Sequence, residues 1–508
     1  MARDTNNPLE VYLSQGTEEL RRFIGTKVIQ GNQYEIDRVT RYYLFWKFYD
    51  GEHYKDFNDN MLAFNYVKAF IDKVNIFLLG DSCFSFQVTN FMNDVVPEEL
   101  ETNVEKLMLY NYRKNKYHLL IHELLQMGSV CGNAWMAYSW NDAGKYVEMT
   151  LLDSRQCFPI FKNGNIKQLE KFTVRQVLEN NPDKYTMLVT EYTTTTMRTW
   201  YQKSSKETTD KDTNERFAVN TITHDLGFIP VVNFKNRPQS SGYFAKSDAH
   251  DILKLNKVYN EMNQEMKSVI DYHSTPTTVI TGASAKSLKR TLGGIWSGLP
   301  PEANVFNLGL DFSLSEVSQY LDRLKVAMHE ISDVPENVLG KTQAISGTSA
   351  AALKLTYQPL VQQADQKALT YGEGIVEANT IILKMIAKYD PKNKLFKELP
   401  KNFENDYRIE PVWSYGFPTD RMQQLQEIQI EDQLKLGSRK EFMNRLGKNN
   451  VTDLMTEIEN QQIEDANLEA QIGEITLNNG GSDDNEDTMD AEDEGVQPVK
   501  TKQPKVVN

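Results

Sequence analysis

Two amphipathic patterns that flank a short turn-rich segment constrain the fold of this chain more than any other feature. In residues 248–273, apolar residues recur at alternating three- and four-residue steps, as on one face of a helix: Ile252, Leu255, Tyr259, Met262, Met266 and Val269. Residues 313–332 repeat these steps at Leu314, Val317, Leu321, Leu324, Met328 and Ile331. The segment between them, 274–312, is rich in turn residues and has two strand candidates, 277–281 and 304–308. The sequence therefore predicts a protrusion on two helical legs with a small β insertion.

The longest helical pattern, 348–389, carries two apolar series with seven-residue spacing. The first is Tyr357, Ala364, Tyr371, Ala378 and Met385, and the second is Val361, Ala368, Ile375 and Ile382. Pro359 is predicted to kink this helix. Two interpretations stay open: a core helix with one buried stripe, or a seam that packs closely against neighbours in the same subunit or the next.

Other helices are predicted on both sides of these patterns. Residues 65–81 have one apolar helical face, with Gly80 as the stop, and 97–128 is predicted to be one helix that Pro97 opens. Residues 420–470 are also predicted to be helical. Residues 1–40 are interpreted as an arm that holds one or two short helices.

Between 131 and 235 the sequence changes to short β-rich runs separated by Gly, Asn and Asp. Residues 82–88 and 405–419 also have strand character. Together with the helices, these runs predict an α+β fold class with a mostly antiparallel sheet.

The net charge is −14, which argues against a protein whose whole surface grips nucleic acid. No run reaches the roughly 18 apolar residues of a membrane span, and the N-terminus has no apolar signal core. These features predict a protein of a cytoplasm-like compartment with no membrane contact. Cys83, Cys131 and Cys157 show no metal spacing and are predicted to be buried thiols. The acidic tail, 471–508, is predicted to be disordered.

Motifs for catalysis are incomplete in this sequence. The stretch LGKT, 339–342, carries the last half of a phosphate loop, but Pro335 stands where the motif needs glycine, and a predicted helix precedes it. The stretch HELLQ, 122–126, has Gln126 in place of the second histidine of a zinc helix, so His122 is interpreted as a surface residue. We therefore expect no enzyme activity, catalytic residue, cofactor or metal site.

Two short segments outside the regular patterns carry isolated basic residues. Lys286, Lys289 and Arg290 form a local cluster on an acidic chain, which is either a solvated turn or a contact with nucleic acid or an acidic partner. Lys341 is the one basic residue in the break between 332 and 348.

Six segments in this order carry a resemblance to a known family: YYLFWKFYDGEHY, NYVKAFIDKVNIFLLGDSCFSF, GNAWMAYSW, HDLGFIPVVNFKN, the helix–insertion–helix of 248–332, and ISGTSAAALKLTYQPL. From about residue 40 to 420 the chain resembles the tailed-bacteriophage portal proteins of the SPP1-type family. The tail and the last helices match only loosely.

The resemblance implies a phage portal fold with a helix-rich wing, a two-helix stem, a small β-containing clip and a helical crown, assembled as a ring. Its implied parts are the wing at 1–247, the stem helices at 248–273 and 313–332, the clip at 274–312, the tunnel loop at 333–347, the long wing helix and return strand at 348–415, the crown at 416–470 and the tail at 471–508.

The family resemblance also implies a function. Such rings, usually of twelve subunits, stand at one capsid vertex, where double-stranded DNA enters through the terminase motor and later leaves. Implied partners are the terminase large subunit, the head-to-tail adaptor, and the major capsid and scaffolding proteins, in the virion and in the host cytoplasm during assembly. The tunnel loop would touch DNA transiently and without base readout through Asn337, Lys341, Thr342 and Gln343, and the clip would dock partners through Lys286, Lys289 and Arg290.

Two other classes of protein remain as alternatives to a portal. One is a structural capsid or scaffold protein without a channel, and the other is a nucleotide-using DNA translocase.

Overall fold

The computed structural model describes residues 33–52, 63–80, 83–92, 95–162, 165–166, 168–178, 184–205, 215–240, 242–274, 277–282, 301–308, 314–340, 355–400, 403–416, 421–446, 451 and 454–464. They fall into two compact units, which meet between Arg421 and Met422. The helices of the first unit are α1 (Gln33–Tyr49), α2 (Tyr66–Leu79), α3 (Glu98–Lys114), α4 (Tyr117–Cys131), α5 (Ala249–Ser274), α6 (Leu314–Ser332), α7 (Gln358–Tyr389), α8 (Lys394–Lys397) and α9 (Phe403–Asp406). Its strands are β1 (Phe84–Asn90), β2 (Asn133–Asn141), β3 (Tyr146–Leu152), β4 (Cys157–Phe161), β5 (Leu169–Val177), β6 (Lys184–Tyr192), β7 (Thr196–Ser205), β8 (Glu215–Thr223), β9 (Val231–Lys235), β10 (Thr277–Thr281), β11 (Asn304–Leu308) and β12 (Tyr407–Trp413).

The strands pair antiparallel, as the sequence predicts. β2 lies between β3 and β9 in a three-stranded sheet, and β4 to β8 form a five-stranded meander in chain order. β1 pairs with β12, so that Phe84 lies opposite Trp413 although the two are far apart in the chain. The α+β class is therefore confirmed, with several small sheets in place of one large one.

The aromatic run after residue 40 belongs to helix α1, which buries Tyr42, Tyr43 and Phe48 against the body. Arg38 on this helix is only 2% exposed. Its guanidinium donates to the carbonyl of Cys157 at 2.8 Å and lies 4.5 Å from the ring centre of Phe244. A buried guanidinium needs such partners, so Arg38 fixes α1 against the start of β4.

Helix α2 begins and ends where the sequence predicts. The side chain of Asn65 accepts from the backbone N–H of Lys68 at 3.0 Å, which caps the helix start. Gly80 ends it with φ 51°, and a Cβ there would lie 1.9 Å from the carbonyl oxygen of Ser414. The predicted glycine stop is confirmed, and it is also the point of closest approach to the chain that follows β12.

The prediction of one unbroken helix over 97–128 is wrong. The chain breaks at Lys116, which adopts φ 52° between α3 and α4. The side chain of Asn115 donates to the carbonyl of Val147 and accepts from the N–H of Met149, both at 2.8 Å. Asparagine side chains can form hydrogen bonds that compete with those of the helical backbone. Here the side chain of Asn115 links the break between the two helices to strand β3.

The predicted helical legs are present, with bounds within one residue of those expected. Helices α5 and α6 lie against each other, and β10 and β11 pair between them in sequence, at the predicted strand positions. Leu321, Leu324 and Met328 are buried, but Ile331 is 44% exposed. The apolar face of α6 is therefore only partly covered within the chain, whereas Ser332 at the helix end is buried.

Helix α7 starts later than predicted. It begins at Gln358, so Pro359 lies in its first turn, where a missing N–H costs no intrahelical bond. Leu355 and Thr356 are also helical and Tyr357 is a turn, so the helical run is interrupted two residues before Pro359, as the predicted kink requires. Residues 348–354 lie outside the described residues.

The apolar stripe of α7 is buried within the same chain, against β9, β12, β2 and α2. Its buried members include Ala364, Tyr371, Ile375, Ala378, Ile382 and Met385. The interpretation as a core helix is confirmed, and the stripe is not free to cover a neighbouring subunit.

The second unit contains two short helices, α10 (Arg421–Gln433) and α11 (Arg439–Arg445), and residues 454–464 are also helical. Phe442 and Val451 are buried, whereas Leu434 and Leu436 are 63% and 72% exposed. This unit therefore leaves large apolar side chains uncovered.

Across the described ranges of both units, no helix is long and apolar enough to span a bilayer.

Two glycines of α7 provide a matched test of the core. A Cβ at Gly374 would lie 2.5 Å from Cδ1 of the buried Phe234, whereas at Gly372 the nearest atom, Cγ of Pro411, is 3.7 Å away. We predict that Gly374→Ala lowers the free energy of unfolding by about 1–3 kcal/mol, because overpacking moves a buried ring. Gly372→Ala should leave it unchanged or raise it by up to about 1 kcal/mol. Equal melting temperatures for the two variants would contradict the described packing of α7.

Candidate functional site

The predicted loop starts from a fixed turn at the end of α6. Asp333 adopts φ 55°, and a single 3₁₀ turn, Glu336–Leu339, then ends at Gly340 with φ 96°. Asn337, the one predicted loop contact within the described residues, is half-buried, and its carbonyl accepts from the N–H of Gly340 at 3.2 Å. Lys341, Thr342 and Gln343 lie outside the described residues.

Buried side chains hold this turn against the body. Val334 is 0% and Val338 is 6% exposed, both within the main core. The Nδ1 atom of His329 lies 2.7 Å from the carbonyl oxygen of Val334; because a carbonyl only accepts, Nδ1 carries the proton. Lys325 forms an ion pair with Glu336 at 3.3 Å. The chain is therefore fixed as far as Val338 and reaches the surface at Gly340, which is exposed.

Beneath the turn lies a buried charge. Lys367 on α7 is 0% exposed, and its ammonium pairs with the carboxylate of Asp248 at 2.5 Å. It also donates to Ser129 on α4 at 2.6 Å and to Asn75 on α2 at 3.1 Å. Arg237 pairs with Asp248 from the other side at 2.9 Å. The ammonium therefore has three polar neighbours, one on α4, one on α2 and one in the residue directly before α5.

The carboxylate of Asp248 stays ionised in this setting. Burial by itself would raise its pKa, but the charges of Lys367 and Arg237 outweigh burial and hold the pKa below its ordinary value. Asn236 also donates to this carboxylate, at 2.8 Å. The group is therefore a buried ion that pairs with Lys367 and Arg237 and accepts a hydrogen bond from Asn236.

A second buried polar contact holds the base of α5. Asn256 and Asn260 are both 0% exposed, one helical turn apart. Asn256 accepts from the N–H of Tyr66 at 2.8 Å and donates to the carbonyl of Phe64 at 3.1 Å. Asn260 accepts from the N–H of Phe64 at 2.8 Å. The two amides provide hydrogen-bond partners for the backbone at the start of α2, so they fix α5 against α2.

The sequence did not single out these residues as functional. The asparagines lie between the predicted apolar positions of α5, and Lys367 lies on the buried face of α7. The sequence does show each of them as a polar residue on an otherwise apolar helical face. Their hydrogen-bond partners lie more than one hundred positions away in the chain, so the sequence could not predict these contacts.

The remaining residues that the sequence singled out are the HELLQ stretch, the cysteines and the basic cluster. His122 is exposed, and Gln126 donates to the hydroxyl of Tyr49 at 2.8 Å, so the surface interpretation of HELLQ is confirmed. The three cysteines are buried and free. Within the described residues there is no group of three metal-ligating side chains. Lys286, Lys289 and Arg290 lie outside the described residues.

The described site therefore consists of a fixed turn beside a buried ion cluster, where α5 begins and α6 ends. Among curated protein sequences, none is significantly similar to the chain. The family model described as phage portal protein, SPP1 Gp6-like, matches residues 27–471. This match covers most of the 508 residues and includes the protruding helices and the turn. The chain therefore belongs to the SPP1 Gp6-like family of phage portal proteins.

Proposed function

We propose that the protein assembles as a ring, of about twelve subunits as is usual in its family, at one capsid vertex. The ring is the channel for double-stranded DNA during packaging and ejection and the platform for head-to-tail joining. The observation that carries this proposal is the family match together with a two-helix protrusion on a rigid base. The protein is a structural component of the virion and not an enzyme.

Exposed apolar side chains on the two protruding helices support ring assembly. The stripe of α7 is already covered within the chain, so it cannot hold subunits together. On α5, Val258 and Ile270 are 36% and 45% exposed, and on α6, Tyr320 and Val326 are 44% and 48% exposed. Neighbouring copies that stand side by side around an axis would cover these faces and remove apolar surface from water.

The charge of the chain supports a channel through which DNA slides. Each lysine–phosphate contact adds affinity, so a strongly basic wall would hold DNA in place. With a net charge of −14 per chain, the average wall repels DNA. Lys341 follows directly after the exposed Gly340, so a ring of these lysines would supply weak contacts from a fixed turn. DNA that slides is contacted at its backbone and not read by sequence.

The tip of the protrusion is proposed as the docking surface for the terminase large subunit and then for the head-to-tail adaptor. Its strands β10 and β11 form only a two-stranded pair, which is too small to be stable alone. Lys286, Lys289 and Arg290 lie in the sequence between these strands. The major capsid and scaffolding proteins would contact other parts of the ring.

The ring proposal predicts a closed oligomer of about a dozen subunits in native mass spectrometry of the purified protein. Replacing Tyr320 and Val326 together by glutamate should shift the mass toward monomer, because it places charge in the interface. Gln319→Glu is the control, since it adds charge at an exposed polar position of the same helix. A wild-type protein that stays monomeric at micromolar concentration would contradict ring assembly.

For the tip, we predict that changing Lys286, Lys289 and Arg290 to glutamate leaves the ring intact and weakens capture of the terminase large subunit in a pull-down. The control changes the exposed Lys392, Lys394 and Lys397 to glutamate, which alters the net charge equally at another place. If both triple variants capture terminase like the wild type, the basic cluster is a solvated turn.

For the loop, we predict that Lys341→Glu gives normal rings and procapsids but shortens the packaged DNA or impairs its retention. An exposed lysine–phosphate contact contributes on the order of 1 kcal/mol or less, which suits a contact that breaks at each step of DNA travel. Lys341→Ala should be milder. The measurement is packaged DNA length per particle by gel, with the exposed Lys384→Glu as control. Full-length, retained DNA with Lys341→Glu would remove this lysine from the proposed contact.

A further inference from the structure

A row of polar contacts leads from the buried ion pair to the last residue of α6. Arg237, which is 26% exposed, pairs through Nε with Asp248 at 2.9 Å. A second guanidinium nitrogen of Arg237 donates to the side-chain oxygen of Gln363, in the amide orientation that satisfies both ends of Gln363. The amide nitrogen of Gln363 then donates to the carbonyl of Ser332 at 3.1 Å. The row therefore starts at the ion cluster of the body and ends where the fixed turn begins.

The carbonyl of Ser332 is one of the last in α6, and such carbonyls have no partner within their own helix. The next residue, Asp333, has φ 55°, a left-handed conformation that is unfavourable for a non-glycine residue. Its side chain also lies in the field of Arg237: burial raises the pKa of Asp333, and the guanidinium opposes that rise. The unfavourable backbone conformation at Asp333 therefore lies next to Ser332, which Gln363 contacts, and close to the charge of Arg237.

We propose that Arg237 and Gln363 are positioning residues for the turn Glu336–Leu339. They set where this turn stands relative to the body. Neither residue would contact DNA. The position of the turn follows from the contacts above, whereas its effect on DNA rests on the proposed function.

The geometry of the guanidinium makes the proposal specific. Two nitrogens of the Arg237 guanidinium face different groups: Nε lies 2.9 Å from Asp248 as an ion pair, and a second nitrogen donates to Gln363. A lysine has one compact ammonium and cannot reproduce a planar fork. Arg237→Lys would therefore keep the charge beside Asp248 but lose the connection to Gln363. A role through charge alone would survive this change, and a positioning role would not.

Hydrogen–deuterium exchange on the full-length assembled protein tests the position of the turn. The reporting amides are those of Val334, Val338 and Gly340, which donate to Ser332 Oγ, the Pro335 carbonyl and the Asn337 carbonyl. We expect Arg237→Lys and Gln363→Leu each to speed exchange at these amides by about tenfold or more, the loss expected for a charged hydrogen bond. Exchange in strand β2 should stay at the wild-type rate.

Arg408→Lys is the matched control. Arg408 is 28% exposed and also pairs with two carboxylates, Glu373 at 2.5 Å and Glu410 at 2.9 Å, but it lies on β12. The Arg408→Lys variant should leave the exchange rates of the Val334, Val338 and Gly340 amides unchanged.

Three outcomes decide the matter. Wild-type exchange at the turn in both variants overturns the proposal, and so does an equal rise in β2, which would show general destabilisation. A rise confined to the turn supports it. If particles with such a local rise still package full-length DNA, the positioning role stands, and the proposed contact between this segment and DNA fails instead.

Discussion

The ammonium group of Lys367 has no access to water, and the arrangement of the surrounding helices follows from that constraint. A buried charge without partners costs several kcal/mol, and removing one partner of a buried pair costs about 3–5 kcal/mol. Here Asp248, Ser129 and Asn75 satisfy the charge. Asp248 directly precedes α5, so the start of the first protruding helix is held at the same point as α2, α4 and α7. Moving α2, α4 or the start of α5 away from α7 would remove one of these partners.

The fixed base has a consequence for the protrusion. Asn256 and Asn260 bind the backbone before α2, while Val334 and Val338 hold the turn after α6 in the main core. Both protruding helices are thus rigid where they join the body. Farther along, α5 and α6 keep exposed apolar side chains. A helix pair with a fixed base and exposed apolar side chains is suited to pack against identical copies. Membership of the portal family is consistent with such packing.

Local patterns were enough to predict most elements. The bounds of α5 and α6 fall within one residue of 248–273 and 313–332, and β10 and β11 coincide with the expected strands. Periodicity and glycine signals are local, so the sequence carries them directly. The break at Lys116 was missed because it contains neither glycine nor proline, and Asn115 needs strand β3 as its partner.

The site was less predictable for the same physical reason. The seven-residue repeats correctly predicted that α7 has one buried face. They could not predict which other elements pack against that face. The partner of Lys367 is Asp248, and the partner of β1 is β12, and both pairings depend on the finished fold. Asn337 was expected as a DNA contact from family resemblance alone; its half-buried place in a fixed turn comes from the structure.

A closed ring around an open channel is the central claim. Electron-microscopy class averages of the purified protein, viewed along the particle axis, test it most directly. A closed ring would show radial repeats of one subunit around a central hole wide enough for duplex DNA. Particles without a hole, or a field of single subunits at micromolar concentration, would contradict it and would favour a capsid or scaffold role without a channel.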